Sequence, residues 1–174
     1  MLPFREIFER TKVEENNGKE EEKVNSEGKI IEFFSVKENN GYMSNFSKHS
    51  FKLKGKEWPT AAHYIEAQKF PGTIAEEEIR EAKTPQLAEK IAGNYAKKMR
   101  GDWNAVREEI ARNAVEAKFE QNVDIQQLLV QTGSDTLVFH AKDNFFGDGM
   151  QGHGKNILGK ILMDVRQIYL NKIV

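Results

Sequence analysis

Signals that start and stop helices follow one another at short intervals from Thr60 onward, and no other feature restricts the fold as much. Thr60 is suited to cap a helix over about residues 61–70, which Pro71-Gly72 would end. The next segment, Thr73-Ile74-Ala75-Glu76, has the form of a capping box and predicts a second helix start. This part of the chain is therefore expected to fold as short helices joined by tight turns.

Four further helices are predicted beyond the second one. Thr84-Pro85 opens a helix that runs to Gly93, and Asp102 is expected to cap a longer one. The buried face of that longer helix is expected to contain Trp103, Val106, Ile110, Ala114 and Ala117. A short helix is predicted from Asp124 to Gly133. The last helix is expected to bury Leu158, Ile161, Leu162, Val165 and Ile168 or Tyr169.

Three short segments have the composition of strands. Ile30–Phe34 is rich in β-branched and aromatic residues, Phe51–Lys54 alternates apolar and cationic residues, and Thr136–His140 has a β-rich composition. The segment Asn39–Phe46 has the composition of a loop. The sequence thus predicts a mostly α fold of the α+β class, a compact single domain with a few short strands, over residues 30–174.

Residues 1–29 differ in composition from the rest. They contain eight Glu and six Lys or Arg and few large apolar residues after Phe8, so they cannot bury enough surface to offset the entropy of ordering. We expect a mobile charged tail with a short helix around Leu2–Arg10. The tail carries a charge of −2 and the whole chain −1, which leaves +1 for residues 30–174. So small a charge disfavours a general DNA or RNA binder.

The composition also excludes several kinds of chemistry. The chain has no Cys, and its four His form no His-x-x-x-His or Glu-x-x-His pair, so we expect neither a metal site nor a cofactor. The longest apolar stretches are only a few residues long, against roughly 20 for a membrane span, and no signal peptide is visible. No membrane partner is expected, and the predicted location is cytoplasmic, or alternatively nuclear.

The segment 142–156 is the first place where the sequence suggests a binding site. Its Gly residues permit backbone conformations and close ligand approaches that side chains would block. The polar residues around them are Asp143, Asp148, His153, Lys155 and Asn156. The segment is not a P-loop, because Asn156 stands where a hydroxyl residue would follow Lys155. A phosphate can still bind at the start of the last helix; the simpler interpretation is that each Asp organises a turn.

The first helix carries a second group of polar residues. Glu66 and Lys69 share a face with Ala62, and His63 lies on the neighbouring face. A solvent-exposed ion pair and a buried, hydrogen-bonded His are the simpler interpretations of these residues. Trp103, at the start of its helix, is either a core residue or a ring on which a flat ligand stacks.

Several separated motifs together resemble one family. In chain order they are Ser44-Asn45-Phe46, Trp58-Pro59-Thr60 with His63-Tyr64, Ala67-Gln68-Lys69-Phe70, Trp103, Lys118-Phe119-Glu120-Gln121, Gly147-Asp148-Gly149 and Gly154 to Gly159. On these motifs the sequence is similar to the NADAR (YbiA-like) family over about residues 30–170. The resemblance implies a helix-rich fold and N-glycosidase activity, the metal-independent hydrolysis of a ribose C1–N bond. It also implies a phosphorylated ribosyl or ADP-ribosyl small molecule as partner, either an early riboflavin intermediate or ADP-ribose joined to guanine, the latter also in DNA or RNA.

The resemblance also places the site. It implies that Asp143 is catalytic or ligand-binding and that Trp103 binds ligand. The other residues expected to contact substrate are Asn45, Phe46, His63, Glu66, Lys69, Phe146, Gly147, Asp148, Gly149, Lys155 and Asn156. These residue types suit the reaction, because a carboxylate near C1 stabilises an oxocarbenium-like transition state and rings hold the base or sugar. Loop amides with Lys155 are suited to hold phosphate.

The chain departs from the family pattern at three positions, two of which are expected site positions. Family members usually have a Glu, the strongest candidate for the catalytic carboxylate, where this chain has Ala62; a strand Glu is replaced by Phe139 and a common Trp by Phe146. Glu66 lies one turn from Ala62, about 5.4 Å along the helix, too far to place the same oxygen. The sequence therefore predicts an impaired enzyme, either a natural member that binds without turnover or one altered to hold its ligand. The alternative function is a non-catalytic module that binds ADP-ribose or a nucleotide.

Overall fold

The computed structural model describes residues 28–173. The predicted tail lies almost wholly outside this range, and the helix expected around Leu2–Arg10 lies fully outside it. The described residues form six α-helices: α1 Ala61–Ala67, α2 Ile74–Arg80, α3 Pro85–Asn94, α4 Trp103–Gln121, α5 Val123–Gln131 and α6 Ile157–Ile173. They also form two short 3₁₀ helices, Gly41–Met43 and Ala96–Lys98, and four strands: β1 Ile30–Phe33, β2 Phe51–Leu53, β3 Lys56–Trp58 and β4 Thr136–Phe139. The predicted α+β class with mostly helical content is confirmed.

Within residues 28–173, no helix has the length and apolar character needed to cross a membrane.

The strands form two separate two-stranded sheets. β1 pairs in parallel with β4, and β2 and β3 form an antiparallel hairpin in which Phe51 faces Trp58. The hairpin turns at Lys54 and Gly55, which both have a left-handed backbone, with φ of 53° and 75°. Glycine adopts this conformation without steric cost. The sequence does not predict β3, because that strand contains a single apolar residue and follows the turn directly.

Two of the predicted helix starts are confirmed. Thr60 Oγ1 accepts the N–H of His63 at 3.3 Å, and Thr84 Oγ1 accepts the N–H of Leu87 at 3.1 Å. Each hydroxyl thereby satisfies one of the free N–H groups in the first turn of α1 or α3. α1 ends at Ala67 rather than near residue 70, because the N–H groups of Lys69 and Phe70 bond three residues back and tighten the last turn.

The other two predicted caps are wrong in their chemistry, although helices begin at both places. The Thr73 hydroxyl donates to a carbonyl of the preceding turn, and Glu76 accepts the N–H of Gly72 at 2.6 Å, so no reciprocal capping box forms. Asp102 precedes α4 without a side-chain cap, since its carboxylate binds the Arg100 guanidinium at 2.6 and 2.8 Å. In both cases the side chain hydrogen-bonds to a group that precedes the helix and so does not cap its first turn.

α1 is the central helix of the core. The ring of Tyr64 packs edge-to-face on Trp58 at 5.0 Å between centroids and on Phe51 at 6.4 Å. α4 packs on α1, and α6 packs on α4 and β4. The predicted apolar faces are confirmed by the burial of Trp103, Ile110, Ala114, Ala117, Leu158, Ile161, Leu162, Val165 and Tyr169. Val106 is half-buried and Ile168 is exposed. The polar face of α1 is left to line a cavity.

Candidate active site

One cavity of about 310 Å³ collects most of the predicted site residues. It lies between α1, α4, the loop of residues 44–46 and the segment that follows β4. Eight predicted site residues line it: Asn45, Phe46, Ala62, Glu66, Lys69, Trp103, Asp143 and Phe146. The wall is completed by Ser44, Ile65, Glu89, Arg107, Phe139 and Ala141. Motifs that are far apart in the chain therefore meet at one place.

The α1 face that carries Ala62, Glu66 and Lys69 forms one wall of the cavity. Lys69 Nζ lies 2.7 Å from each carboxylate oxygen of Glu66 and 5.4 Å from the centroid of the Trp103 ring. Both charged side chains are half-buried, so this pair is more than a solvated surface pair. Ala62 is buried and contributes only a methyl group, while its N–H donates to the Asn45 carbonyl at 2.9 Å. The loop of residues 44–46 is thus fixed against α1.

Lys118 holds the same loop from the core side. Its side chain is fully buried, and its Nζ donates to the carbonyls of Tyr42 at 2.6 Å and Ser44 at 2.9 Å. Burial lowers the pKa of this amine to about 7. The two accepting carbonyls flank the backbone that leads into Asn45 and Phe46, so Lys118 positions two residues of the cavity wall without lining the cavity itself.

Lys118→Met is expected to remove a pH dependence of stability. The amine keeps a pKa near 10.4 in the unfolded chain, whereas it is about 7 in the fold. Between about pH 7 and 10 the unfolded chain therefore binds more protons, and the free energy of unfolding rises with pH. Denaturant unfolding should show this rise for the unmodified protein and a flatter profile for Lys118→Met. Lys160→Met, at an exposed position of α6, is the control; an equal rise in all three proteins would contradict the assignment.

Asp143 shapes the loop that follows β4. Its Oδ1 accepts the N–H groups of Phe145 at 2.6 Å and Phe146 at 2.7 Å, which forms a tight side-chain-to-backbone turn. This turn places Phe146 in the cavity wall, and the Asp143 side chain stays solvent-exposed beside it. The residue therefore has a structural role in the loop and a carboxylate at the cavity.

Two cationic side chains lie close to the Phe145 ring, next to this turn. The guanidinium carbon of Arg107 lies 3.5 Å from the centroid of the Phe145 ring, and Lys155 Nζ lies 5.5 Å from the same centroid. Arg107 Nε is buried and has no hydrogen-bond partner among residues 28–173. Since Arg107 also lines the cavity, an anionic group of a ligand is a natural partner for this edge.

The comparisons with known proteins agree with one another. The model of the NADAR domain matches residues 32–169. This chain belongs to the NADAR domain family. The N-glycosidase YbiA of Shigella boydii is 42% identical over 139 residues, which are 79% of this chain and 87% of that protein. The N-glycosidase YbiA of Escherichia coli strain K12 is 41% identical over the same share of both chains. A riboflavin biosynthesis protein of Vibrio vulnificus is 39% identical over 138 residues, 38% of its length.

A solved structure confirms the fold. The NMR structure of the E. coli protein YbiA has a TM-score of 0.76 to this NADAR domain at 39% identity, covering 84% of this chain and 88% of that one. The family resemblance and the helix-rich α+β fold predicted from the sequence are therefore both confirmed, and the YbiA relatives are named N-glycosidases.

Six predicted site residues of this NADAR domain lie outside the cavity wall: His63, Gly147, Asp148, Gly149, Lys155 and Asn156. His63 is buried, and its two ring nitrogens lie 2.8 Å from Thr60 Oγ1 and 3.0 Å from the Ala82 carbonyl. This matches the simpler interpretation of a hydrogen-bonded core histidine. Lys155 Nζ lies near the Phe145 ring at the edge of the cavity. Direct contact of these residues with substrate stays a prediction.

The loop residues among these six mainly bind backbone. Asn156 Oδ1 accepts the N–H of Phe139 at 2.9 Å, and its Nδ2 donates to the Leu137 carbonyl at 2.9 Å, which ties the start of α6 to β4. Asp148 accepts the N–H of Ala141 at 3.2 Å and lies 2.8 Å from His140 Nδ1. This hydrogen bond raises the pKa of His140. A Cβ at Gly147 would lie 2.9 Å from two carbonyl oxygens, so the backbone needs glycine there.

Glu89 and Arg107 are charged cavity residues of this NADAR domain that the sequence did not predict. Glu89 lies on α3, and its side chain is exposed at the cavity mouth. Although the residue reaches solvent, the surrounding cavity wall partly desolvates its carboxyl and raises the pKa; the charge of Glu66 adds to this shift and that of Lys69 opposes it. The sequence gives no local sign that Glu89 belongs to a site, because α3 has the pattern of an ordinary helix with polar residues on its outer side. Only the packing of α3 beside α1 brings Glu89 to the site.

Proposed function

We propose that this NADAR domain hydrolyses a ribose C1–N bond in the cavity beside α1. The observation that carries the proposal is the convergence of carboxylates, aromatic rings and cations in one cavity. Glu66 and Asp143 supply negative charge, Trp103 supplies a ring face, and Arg107 supplies a cation for an anionic group. The N-glycosidase names of the YbiA relatives support the same reaction class.

The reaction needs what this cavity offers. Breaking the bond develops positive charge on C1 and the ring oxygen, which nearby carboxylates stabilise, and water then adds to C1. Trp103 and Phe146 provide faces for the sugar or base, and Arg107 with Lys155 faces the phosphate side. Within residues 28–173, no three His, Asp or Glu side chains converge as metal ligands, and each proposed step uses side chains alone.

The proposal includes slow turnover. Ala62 and Phe139 leave apolar groups in the cavity wall at the two positions where the family pattern has Glu. Glu66 lies one turn along α1 and is held by Lys69, so it does not replace a carboxylate at position 62. The chain is therefore proposed to bind its substrate well and to cleave it slowly.

Two substrate classes fit the cavity chemistry and are separated by one assay. They are ADP-ribose joined to guanine, as a nucleoside or in nucleic acid, and phosphorylated riboflavin intermediates; the Vibrio vulnificus relative supports the second. The purified chain and its Ala62→Glu variant would be given ADP-ribosyl-guanosine and the riboflavin intermediates, with base release followed by chromatography. Release from one class identifies the substrate, and release from neither by either protein would contradict the proposed activity.

The alternative function is a non-catalytic module that binds ADP-ribose or a nucleotide, and the apolar wall at Ala62 and Phe139 favours it. Calorimetry with ADP-ribose tests it. We expect binding that Trp103→Ala weakens by roughly 10- to 100-fold, since stacking on a ring contributes about 1–3 kcal/mol. Trp103→Phe, which keeps a ring face and most of the buried volume, should bind nearly as well. No detectable binding by the unmodified chain would exclude this alternative.

A further inference from the structure

A second cavity of about 270 Å³ adjoins the first. The two share three lining residues, Ser44, Phe46 and Phe139. The remaining wall of the second cavity is Phe34, Ser35, Val36 and Gln86. Phe34 and Val36 are exposed at 58% and 46%, so this wall is both apolar and open to solvent. The combined site therefore has a polar lobe over α1 and an apolar lobe toward β1, which meet at Phe46 and Phe139.

α3 spans both lobes. Gln86 and Glu89 are three residues apart and so lie on one face of this helix. Gln86 lines the apolar lobe and Glu89 the polar lobe. Glu89 is therefore placed beside the junction of the two lobes.

The two lobes favour one orientation of a ribose that is linked to a base. The sugar and its phosphates belong with the carboxylates and cations of the polar lobe, and a flat base belongs against Phe46 and Phe139 in the apolar lobe. The bond between sugar and base then lies at the junction. On the proposed function, we infer that Glu89 is the general acid that protonates the departing base.

The charges around Glu89 suit this role. The groups that face the polar lobe with it are Glu66, Lys69, Arg107 and Asp143. Partial burial, together with the Glu66 charge, raises the pKa of the Glu89 carboxyl, and Lys69 acts in the opposite sense. Glu66 is paired with Lys69, whereas the carboxyl of Glu89 is partly desolvated. Two carboxyl groups in such different environments can take different roles, one as a charged stabiliser and the other as a proton donor.

The proton transfers balance within the site. The Glu89 carboxyl gives its proton to a nitrogen of the base, and both electrons of the C1–N bond leave with the base. Water adds to C1 and gives its proton to the Glu66 carboxylate, or to a carboxylate introduced at position 62, which passes it to solvent. Solvent returns a proton to Glu89, whose side chain is exposed at the cavity mouth. The net reaction consumes one water and releases the neutral base.

The test is Glu89→Gln in the Ala62→Glu background, assayed on two leaving groups. Glutamine keeps the size and a hydrogen-bond donor but cannot give up a proton. With the neutral-base substrate that the parent cleaves, ADP-ribosyl-guanosine or the riboflavin intermediate, we expect kcat to fall by about 10- to 100-fold. With NAD⁺, whose nicotinamide leaves without being protonated, we expect a clearly smaller fall. The matched control is Glu108→Gln, an exposed position of α4 outside both cavities.

A pH profile gives a second readout that a purely structural role would not move. The parent should lose activity on the neutral-base substrate as pH rises through the raised pKa of Glu89, and this alkaline limb should be absent in Glu89→Gln. An unchanged kcat, or an equal fall on NAD⁺ and on the neutral-base substrate, would overturn the inference while leaving the N-glycosidase proposal intact. A parent that cleaves neither neutral-base substrate would instead overturn the proposed function itself.

Discussion

Ala62→Glu is expected to raise the rate of C1–N bond hydrolysis by a factor of about 10² or more. Position 62 lies on the cavity-facing side of α1, and its methyl group faces a space of about 310 Å³, so a longer side chain has room. A carboxylate there would stand beside the developing positive charge on C1, which the present methyl group cannot stabilise. The rate of base release at saturating substrate measures the effect.

The matched control for this substitution is Ala62→Gln. Glutamine fills the same space as glutamate without the charge, so it should leave the rate near that of the unmodified chain. The N–H of residue 62 keeps its bond to the Asn45 carbonyl in both variants, because that contact is made by backbone. Equal acceleration by Gln and Glu would mean that packing, and not charge, limits turnover. No acceleration by either would show that the carboxylate acts from another position.

Helix starts could be predicted where no neighbouring group competes for the capping side chain. Thr60 and Thr84 cap α1 and α3 through N–H groups only three residues away, so a short stretch of sequence contains the whole interaction. The same reasoning fails at Thr73 and Asp102, where a carbonyl of the preceding turn and the Arg100 guanidinium compete for the side chain. Parallel pairing of β1 with β4 joins segments about 100 residues apart in the sequence and has no local signal.

The candidate site could be predicted only in part, for the same physical reason. Asn45 and Trp103 belong to motifs of the family, Asp143 matches a family site position, and all three line one cavity in the structure. Asn156 belongs to such a motif as well, but its amide is bonded to the backbone of β4. A sequence shows that a polar residue is present in a Gly-rich loop; it does not show whether backbone or ligand takes its hydrogen bonds. Glu89 lies in no motif at all and enters the site through helix packing.

The charge of Asp143 should matter as much as its place in the loop, and Asp143→Asn separates the two. Asparagine can keep an oxygen acceptor for the N–H groups of Phe145 and Phe146, so the turn and the cavity wall at Phe146 should persist. The variant removes a negative charge from the cavity, where C1 becomes positive during the reaction. We expect hydrolysis in the Ala62→Glu background to fall by about 10²- to 10³-fold, with an unchanged unfolding midpoint.

Asp143→Ala is the companion variant, because it removes both the charge and the acceptor. It should lower the rate at least as far and also lower the unfolding midpoint, since two N–H groups of the loop lose their partner. One outcome is that Asp143→Asn keeps the parent rate while Asp143→Ala loses activity. In that case the Asp143 carboxylate only organises the loop, and the negative charge that stabilises the positive C1 must come from Glu66 and position 62. If both variants lose hydrolysis rate while Asp143→Asn keeps the unfolding midpoint of the parent, the charge of Asp143 itself acts in the reaction.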